Sequence, residues 1–267
     1  MADDFLSGAS GAVFGIRATA RALAQDVACD AISLARLTPW RLRHAARTAA
    51  RRRVLVLAIE RTDAPNLLAA ARSELRRSRH DVHLAVTAAA DRGKFENLNG
   101  LLADHPARGH DWLLLLDDDV TLPAGFLDNF VFLAERFGLA LAQPAHRHRS
   151  HAAFELTRRQ PASVVRETRF VEIGPVCALH AVTFETLLPF PPLRMGWGLD
   201  AHWSALARQH GWPLGVIDAT PIRHGLRRIA TAYDRGAAIA EGREFLTGRP
   251  YAPTTESQQT LAIHRGF

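Results

Sequence analysis

Three consecutive carboxylates, Asp117-Asp118-Asp119, directly follow the four leucines 113–116. An apolar run of this kind predicts a strand that is buried on both faces, as parallel strands are. Because unpaired charges cannot face such a core, we expect the carboxylates to emerge at the carboxyl edge of a sheet, where open α/β sheets bind ligands. A divalent metal would relieve the repulsion among them. A solvated acidic turn is the alternative, although it does not explain why the acids follow four leucines.

A second group of reactive residue types lies further along the chain. Asp200 ends the segment Gly196-Trp197-Gly198-Leu199-Asp200, which leads into a helical pattern. This carboxylate could act as a general base, or it could cap a helix that begins at Ala201. His224 follows a later strand, where it could bind a metal or serve as a buried structural histidine.

The elements that would position these groups alternate between strands and helices. Such alternation predicts a single α/β domain with a mostly parallel sheet and helices on both of its faces. The polar stretch 144–168 predicts a long functional or disordered loop. The predicted strands are 54–59, 81–86, 113–116, 139–142, 169–174 and 213–217, and the predicted helices begin near Thr62 or Asp63, near Phe95, and at about 124–137, 199–210 and 230–246.

Length and composition limit the class of protein. A chain of 267 residues suits one large domain with appendages, and no apolar run approaches the roughly 18 residues that a membrane span requires. Cys29 and Cys177 have neither a disulfide framework nor metal-ligand spacing, which fits a reducing compartment. The acidic start Met1-Ala2-Asp3-Asp4 does not resemble a signal peptide, so we expect a cytoplasmic protein.

The positive charge is concentrated near the amino terminus. Lys94 is the one lysine among 33 basic residues, and six arginines fall between Arg41 and Arg53, next to Trp40. This basic segment could contact anionic lipids at the inner face of a membrane, or it could be a solvated helical arm, the reading we favour. Nucleic acid is not an expected partner, because no nucleic-acid-binding signature is present.

Taken in chain order, the motifs from about Val54 to His224 resemble those of the GT-A glycosyltransferases, especially the nucleotide-sugar-dependent family 2. The acids 117–119 resemble its D-x-D motif, and residues 196–200 resemble its glycine loop with an acidic catalytic residue. His224 resembles its late metal-binding histidine, and residues 93–99 resemble the stretch that lines the donor nucleotide.

The resemblance implies a Rossmann-like GT-A domain at 51–228. A helical, basic amino-terminal extension at 1–50 would precede this domain, and a carboxyl-terminal helix and tail at 229–267 would follow it. Leu199 departs from the family pattern, because many relatives carry a second acid at that position.

The resemblance also implies roles for individual residues. Asp200 would be the catalytic base of an inverting reaction. A Mn²⁺ or Mg²⁺ ion would neutralise the diphosphate of a nucleotide-sugar donor as a Lewis acid. The expected metal ligands are Asp117, Asp119 and His224, and the expected donor-binding residues are Asp91, Lys94, Asn97, Asp117, Gly196 and Gly198.

The activity expected from the resemblance is transfer of a single sugar to a glycan, a lipid-linked or a small-molecule acceptor. A haloacid-dehalogenase-like phosphatase is the alternative enzyme, with Asp117 as nucleophile and Asp119 as general acid. That class requires a lysine further along the chain, whereas Lys94 lies upstream of the acids. A non-catalytic module that binds sugar or nucleic acid is the third hypothesis.

Overall fold

The computed structural model describes residues 3–8, 11–227 and 234–267. Within these residues, one sheet contains nine strands. They are β1 (Arg53–Glu60), β2 (Asp81–Ala88), β3 (Trp112–Asp117), β4 (Val120–Thr121), β5 (Leu141–His146), β6 (Val165–Thr168), β7 (Val176–His180), β8 (Leu214–His224) and β9 (Thr260–His264).

Helices precede, connect and follow these strands in the described part of the chain. They are α1 (Ile16–Ala35), α2 (Thr38–Thr48), α3 (Leu68–Leu75), α4 (Lys94–Asp104), α5 (Phe126–Arg136), α6 (Phe184–Leu187), α7 (Leu199–His210), α8 (Arg235–Leu246) and α9 (Thr254–Ser257).

The strand order is β2-β1-β3-β7-β5-β8-β6-β9, and β4 pairs with β8 outside this path. The pairings give β1, β2, β3, β5, β8 and β9 one direction, whereas β6 and β7 run the opposite way. The predicted α/β domain with a mostly parallel sheet is therefore confirmed.

The leucine strand β3 lies at the centre of the core, as its sequence predicts. Leucines 113–116 are each at most 2% exposed. Leu113 and Leu115 pack into one hydrophobic cluster, and Leu114 and Leu116 pack into another. Because successive side chains of a strand point to opposite faces, these clusters cover the two faces of the sheet.

The region 144–174 differs from its prediction. Strand β6 lies inside the stretch expected to be a loop, and the strand expected at 169–174 is replaced by β7, which begins at Val176. Arg166 of β6 is completely buried and forms an ion pair with the equally buried Asp218 of β8. Its guanidinium also donates to the carbonyl oxygens of Leu156 and Arg158, at 2.6 and 2.7 Å.

Both ends of the described chain contact the central domain. Phe5 is buried in one of the two core clusters, and Asp3 pairs with Arg243 of α8. Helix α8 begins at Arg235, and its N-cap residue Asp234 accepts a side-chain hydrogen bond from the backbone N–H of Gly236. The helix start predicted near residue 230 lies outside the described residues. Strand β9 pairs with β6 at the edge of the sheet.

No helix within the described ranges is both long enough and apolar enough to cross a membrane.

Candidate active site

A cavity of about 810 Å³ opens at the carboxyl ends of β1 and β3. These strands are parallel and in register from Val54 with Trp112 to Ile59 with Asp117, so both end at the same edge of the sheet. A cavity of this size can hold a small-molecule substrate. It is lined by several sequence-predicted residues: Asp91, Lys94, Asn97, Asp117, Asp119, Gly196, Gly198, Asp200 and His224.

Asp119 and His224 meet at this edge. Strand β4 pairs antiparallel with the end of β8 and sets Val120 opposite His224, which brings the preceding Asp119 beside the imidazole. Asp119 Oδ2 lies 3.1 Å from His224 Nε2, and His224 Nδ1 lies 3.2 Å from the carbonyl oxygen of His151. Since a carbonyl oxygen can only accept, Nδ1 carries a proton there, and neutral His224 would present an Nε2 lone pair next to Asp119.

The charges of this pair stabilise each other. Burial acts to raise the pKa of Asp119, but the hydrogen bond from His224 and the nearby Arg227 guanidinium hold it below its ordinary value. Burial likewise acts to lower the pKa of His224, but the Asp119 carboxylate holds it above its ordinary value. The Asp119 carboxylate therefore favours the charged form of His224, and a charged His224 in turn favours the carboxylate form of Asp119.

Asp118 also lines the cavity, but its hydrogen bonds fix a neighbouring loop. Its carboxylate accepts a hydrogen bond from the backbone N–H of Arg61 at 2.7 Å and pairs with the Arg227 guanidinium. Its carbonyl oxygen accepts from the backbone N–H of Leu67 at 2.6 Å. Asp118 thus fixes the loop between β1 and α3, which forms one wall of the cavity.

Asp117 pairs with Lys94, which is the first residue of α4. The Lys94 ammonium lies 2.7 Å from Asp117 Oδ1. Within the described residues, no group of three or more histidine, cysteine, aspartate or glutamate side chains is placed to hold a metal ion. The structure therefore brings Asp119 and His224 together without Asp117, and metal binding by all three residues stays a prediction.

Asp200 lines the same cavity from the first turn of α7. Burial raises the pKa of this carboxyl to about 7, although the backbone N–H of Ala201 donates to Oδ1 at 2.9 Å and opposes the shift. Helix α7 begins at Leu199 with Gly198 at its N-cap, two residues earlier than the capping alternative required, so Asp200 is not the N-cap. A carboxyl with this pKa exchanges protons near neutral pH, which is the property that a general base needs.

Two predicted donor-binding residues border the cavity near the start of α4. Asp91 is exposed, and its carbonyl oxygen accepts a hydrogen bond from the Arg194 guanidinium at 2.8 Å. Asn97 is buried, and its amide nitrogen donates to the backbone carbonyl oxygens of Ala89, Arg92 and Gly93. Asn97 therefore holds the loop that carries Asp91.

The backbone conformation explains why residues 196 and 198 are glycines. Both have positive φ, at 80° and 86°. A Cβ atom on Gly196 would lie 1.9 Å from the ring of Phe95, and one on Gly198 would lie 2.9 Å from Leu246. The turn before α7 thus requires glycine at both positions, and contact of these residues with a donor stays a prediction.

No protein-family model matches this sequence, and no curated protein sequence matches it either. Solved structures do match. GalNAc-T7, solved with UDP, GalNAc and Mn²⁺, aligns at a TM-score of 0.50 and 11% identity, covering 67% of this chain and 44% of that one. The chain has the GT-A fold. At this identity the similarity concerns the fold and not the reaction, and it spans less than half of GalNAc-T7.

Two further GT-A proteins align at lower TM-scores. Glucosyl-3-phosphoglycerate synthase from Mycobacterium tuberculosis matches at 0.46 and 14% identity, covering 78% of this chain and 82% of its own. The catalytic domain of Drosophila beta1,4galactosyltransferase 7 aligns at a TM-score of 0.45 and 13% identity, covering 70% of this chain and 79% of that domain.

The GT-A cavity also contains a carboxyl that sequence reasoning missed. Glu172 lies in the segment expected to be a strand, and no motif distinguishes it. Burial and the negative charge of Asp200 raise its pKa to about 8. Its Oε2 lies 3.4 Å from Thr157 Oγ1 and 3.7 Å from Nε2 of the buried His146. Glu172 is therefore a neutral acid at pH 7 that faces the same cavity as Asp200.

The pH dependence of stability should reveal this neutral acid. A carboxyl whose pKa is raised in the folded state stabilises the protein at low pH, and that stabilisation is lost as pH rises from about 4.5 to about 8. Glutamine does not titrate, so Glu172→Gln does not lose this stabilisation. The Tm of the variant minus the Tm of the unmodified protein should therefore increase with pH over this interval. Thermal unfolding measured across pH tests this, with the exposed Glu185→Gln as control. A constant difference would contradict a protonated Glu172.

A second carboxylate missed by sequence reasoning positions the glycine turn of the GT-A site. Glu241 of α8 accepts hydrogen bonds from the backbone N–H groups of Arg194, Met195 and Gly196, at 2.7, 3.0 and 2.9 Å. Three donors on one carboxylate fix the chain just before Asp200. No sequence motif links Glu241 to residues 194–196, so this contact could not be predicted from the sequence.

Removing this carboxylate should loosen the turn. We expect Glu241→Ala to lower the free energy of unfolding by about 1–3 kcal/mol, because three backbone N–H groups lose their acceptor. Hydrogen exchange at Met195 and Gly196 should accelerate more than exchange in β3. Glu244→Ala, an exposed change on the same helix, is the matched control. Equal exchange in the two variants would contradict the positioning role of Glu241.

Proposed function

We propose that this chain is a metal-dependent, inverting glycosyltransferase that moves one sugar from a nucleotide-sugar donor to an acceptor hydroxyl. The observation that carries this proposal is the composition of the cavity in the GT-A sheet. The Asp119–His224 pair and the carboxyl of Asp200, with its pKa near 7, line one space at the carboxyl ends of the strands. Glycan, lipid-linked and small-molecule acceptors are all compatible with this arrangement.

The Asp119–His224 pair fits a Mn²⁺ ion better than a Mg²⁺ ion. It offers one carboxylate and one imidazole, and Mn²⁺ accepts both oxygen and nitrogen ligands. Two protein ligands leave positions for the diphosphate oxygens of a donor, as in sites where the metal arrives with its phosphates. When bound, the metal would neutralise the charge of the departing nucleoside diphosphate.

The basic side chains of the cavity would hold the rest of the donor. Arg227 lies 3.2 Å from Asp119, and Arg235 lies over the ring of Trp197 at 5.8 Å from its centroid. Lys94 keeps Asp117 at the strand end, where both could contact the donor. These cations offset the cavity acids, so that a polyanionic nucleotide can enter.

Asp200 would act on the acceptor. Its carboxylate would accept the proton of the acceptor hydroxyl as that oxygen attacks the anomeric carbon from the face opposite the leaving group. The N–H of Ala201 fixes the orientation of the carboxylate through Oδ1. Such attack inverts the anomeric configuration.

A panel of nucleotide sugars and free nucleoside diphosphates tests the proposal. Thermal unfolding should shift to higher temperature with one nucleotide together with Mn²⁺, and the shift should disappear with EDTA. The same donor should then support sugar transfer to an added acceptor mixture, with a β-linked product from an α-linked donor. Stabilisation that resists EDTA would contradict a metal-dependent transferase and favour a non-catalytic binding module.

One contact favours the phosphatase hypothesis as a second candidate. The phosphatase hypothesis uses Asp117 as the nucleophile, and the Lys94 ammonium lies 2.7 Å from Asp117 Oδ1. The lysine that this class requires is therefore at the site, although Lys94 precedes the acids in the sequence. However, the motif of those enzymes normally opens the fold, whereas β1 and β2 precede it here. Hydrolysis of a simple aryl phosphate that is lost in Asp117→Asn would support this second candidate over the first.

A further inference from the structure

Helix α1 carries a row of exposed apolar side chains along its length. Ile16, Leu23, Val27 and Leu34 are spaced by seven, four and seven residues, which places them within about 20° of one line along the helix. Ile16 is 90% exposed and Val27 is 65% exposed, and the other two are also exposed. We call these four residues the apolar stripe.

The apolar stripe is distinct from the face that packs on the domain. The buried residues of α1 are Ala22, Asp26 and Cys29, which point roughly a third of the circumference away from the stripe. Asp26 accepts hydrogen bonds from the backbone N–H groups of His148 and Arg149, so this buried face is firmly attached. The helix is thus held on one side and presents an apolar stripe about 27 Å long on another.

Positive charge continues from the carboxyl end of the stripe. Residues 31–53 contain seven arginines and no acidic residue. In the described part of the chain, Arg52 is the one of these seven that forms an ion pair with a carboxylate. Leu37 and Trp40 are exposed among the arginines, at the junction of α1 and α2.

We infer that the apolar stripe and the adjoining arginine-rich segment 36–53 dock on an anionic lipid surface. The apolar side chains could enter the hydrocarbon region of a bilayer, and the arginines could bind its negatively charged head groups. Trp40, between them, is a residue type that is common at the boundary of these two regions. A nucleic acid would satisfy the arginines but would leave the stripe in water. A second copy of this chain would cover the stripe but would bring two acid-free arginine segments together.

The docked face starts close to the cavity. The carbonyl oxygen of Gly11 accepts from the backbone N–H of Ala152, and the next two residues, Ala153 and Phe154, line the cavity. The chain passes from Gly11 to α1 within five residues. The docking inference stands on the surface alone and does not depend on the proposed reaction.

Vesicle flotation of the full chain tests the inference. The protein should float with vesicles that contain phosphatidylglycerol in phosphatidylcholine, should not float with pure phosphatidylcholine, and should dissociate as salt is added. The double variant Val27→Gln/Leu34→Gln should bind the anionic vesicles at least about tenfold more weakly, because two exposed apolar side chains no longer enter the lipid. Its Tm should match that of the unmodified protein.

Val182→Gln is the matched control, because Val182 is 57% exposed but lies outside α1. It should bind anionic vesicles like the unmodified protein. Binding by the double variant equal to that of the control would overturn the inference. So would equal binding to both vesicle types, an absence of binding to either, or dimers in lipid-free buffer that dissociate in the double variant.

Discussion

Asp200→Asn should lower the turnover of sugar transfer by roughly 10²–10⁴-fold, the usual contribution of a positioned general base. Asparagine keeps the shape of the side chain and can still accept from the Ala201 N–H through its amide oxygen. Binding of the donor with Mn²⁺ should therefore persist. Turnover by rapid product analysis and donor binding by calorimetry separate the two effects.

The pH profile gives an independent test of the same residue. The base must be ionised to accept a proton, so turnover should rise with pH through about 7, where burial places the pKa of Asp200. Folded-state stability should change in the opposite sense: a raised carboxyl pKa stabilises at low pH, and this effect is lost as pH rises towards about 7. Asp200→Asn should thus be more thermostable than the unmodified protein above neutral pH.

Asp63→Asn is the matched control for these measurements. Asp63 lines the rim of the same cavity and is largely exposed beside Arg61. It should retain nearly full turnover and the same pH profile. Near-normal turnover in Asp200→Asn would instead assign the base to another group, for which Glu172 is the first candidate to examine.

Asp119→Asn should abolish both Mn²⁺-dependent donor binding and turnover, each by roughly 100-fold or more. The change removes the negative charge that faces Nε2 of His224 and Nε of Arg227, at 3.1 and 3.2 Å. A neutral amide is a poor ligand for a divalent cation, and the Arg227 guanidinium would remain beside it to repel the metal. Thermal shift with Mn²⁺ and nucleoside diphosphate measures the loss.

The position of the charge matters in this experiment as much as its amount. Asp118→Asn alters a neighbouring carboxylate that holds Arg61 N–H and Arg227. We expect it to lower stability while Mn²⁺ still enhances nucleotide binding. If Asp118→Asn and Asp119→Asn lose metal dependence equally, the cluster acts through its total charge, and the assigned ligand pair is wrong.

The strands with continuous apolar sequence could be predicted, because hydrophobic burial alone specifies them. Strand β3 and the helix α7 lie where their patterns place them. Strand β6 could not be predicted, since its central residue is an arginine that becomes buried only through an aspartate 52 residues away. Helix α3 begins at Leu68 rather than near Thr62, because the Asp118 side chain and carbonyl hold residues 61 and 67 in a loop.

Within the site, the residue types were predictable and their partners were not. The sequence indicates that the acids end a buried strand, but it does not show that Arg227 and Lys94 neutralise two of them. Glu172 and Glu241 also lacked any local signal. Their importance arises from contacts across the fold, with the cavity in one case and with the turn at 194–196 in the other.

Although arginine is far more common than lysine in this chain, the buried Arg166 is an arginine for a structural reason. Its planar guanidinium donates hydrogen bonds to both carboxylate oxygens of Asp218 and to two backbone carbonyl oxygens. A lysine ammonium is more compact and could not reach all four acceptors at once. An engineer who replaces arginines of this chain by lysines, for example for chemical labelling, would lose these four contacts at position 166. Position 166 must be exempt from any such recoding.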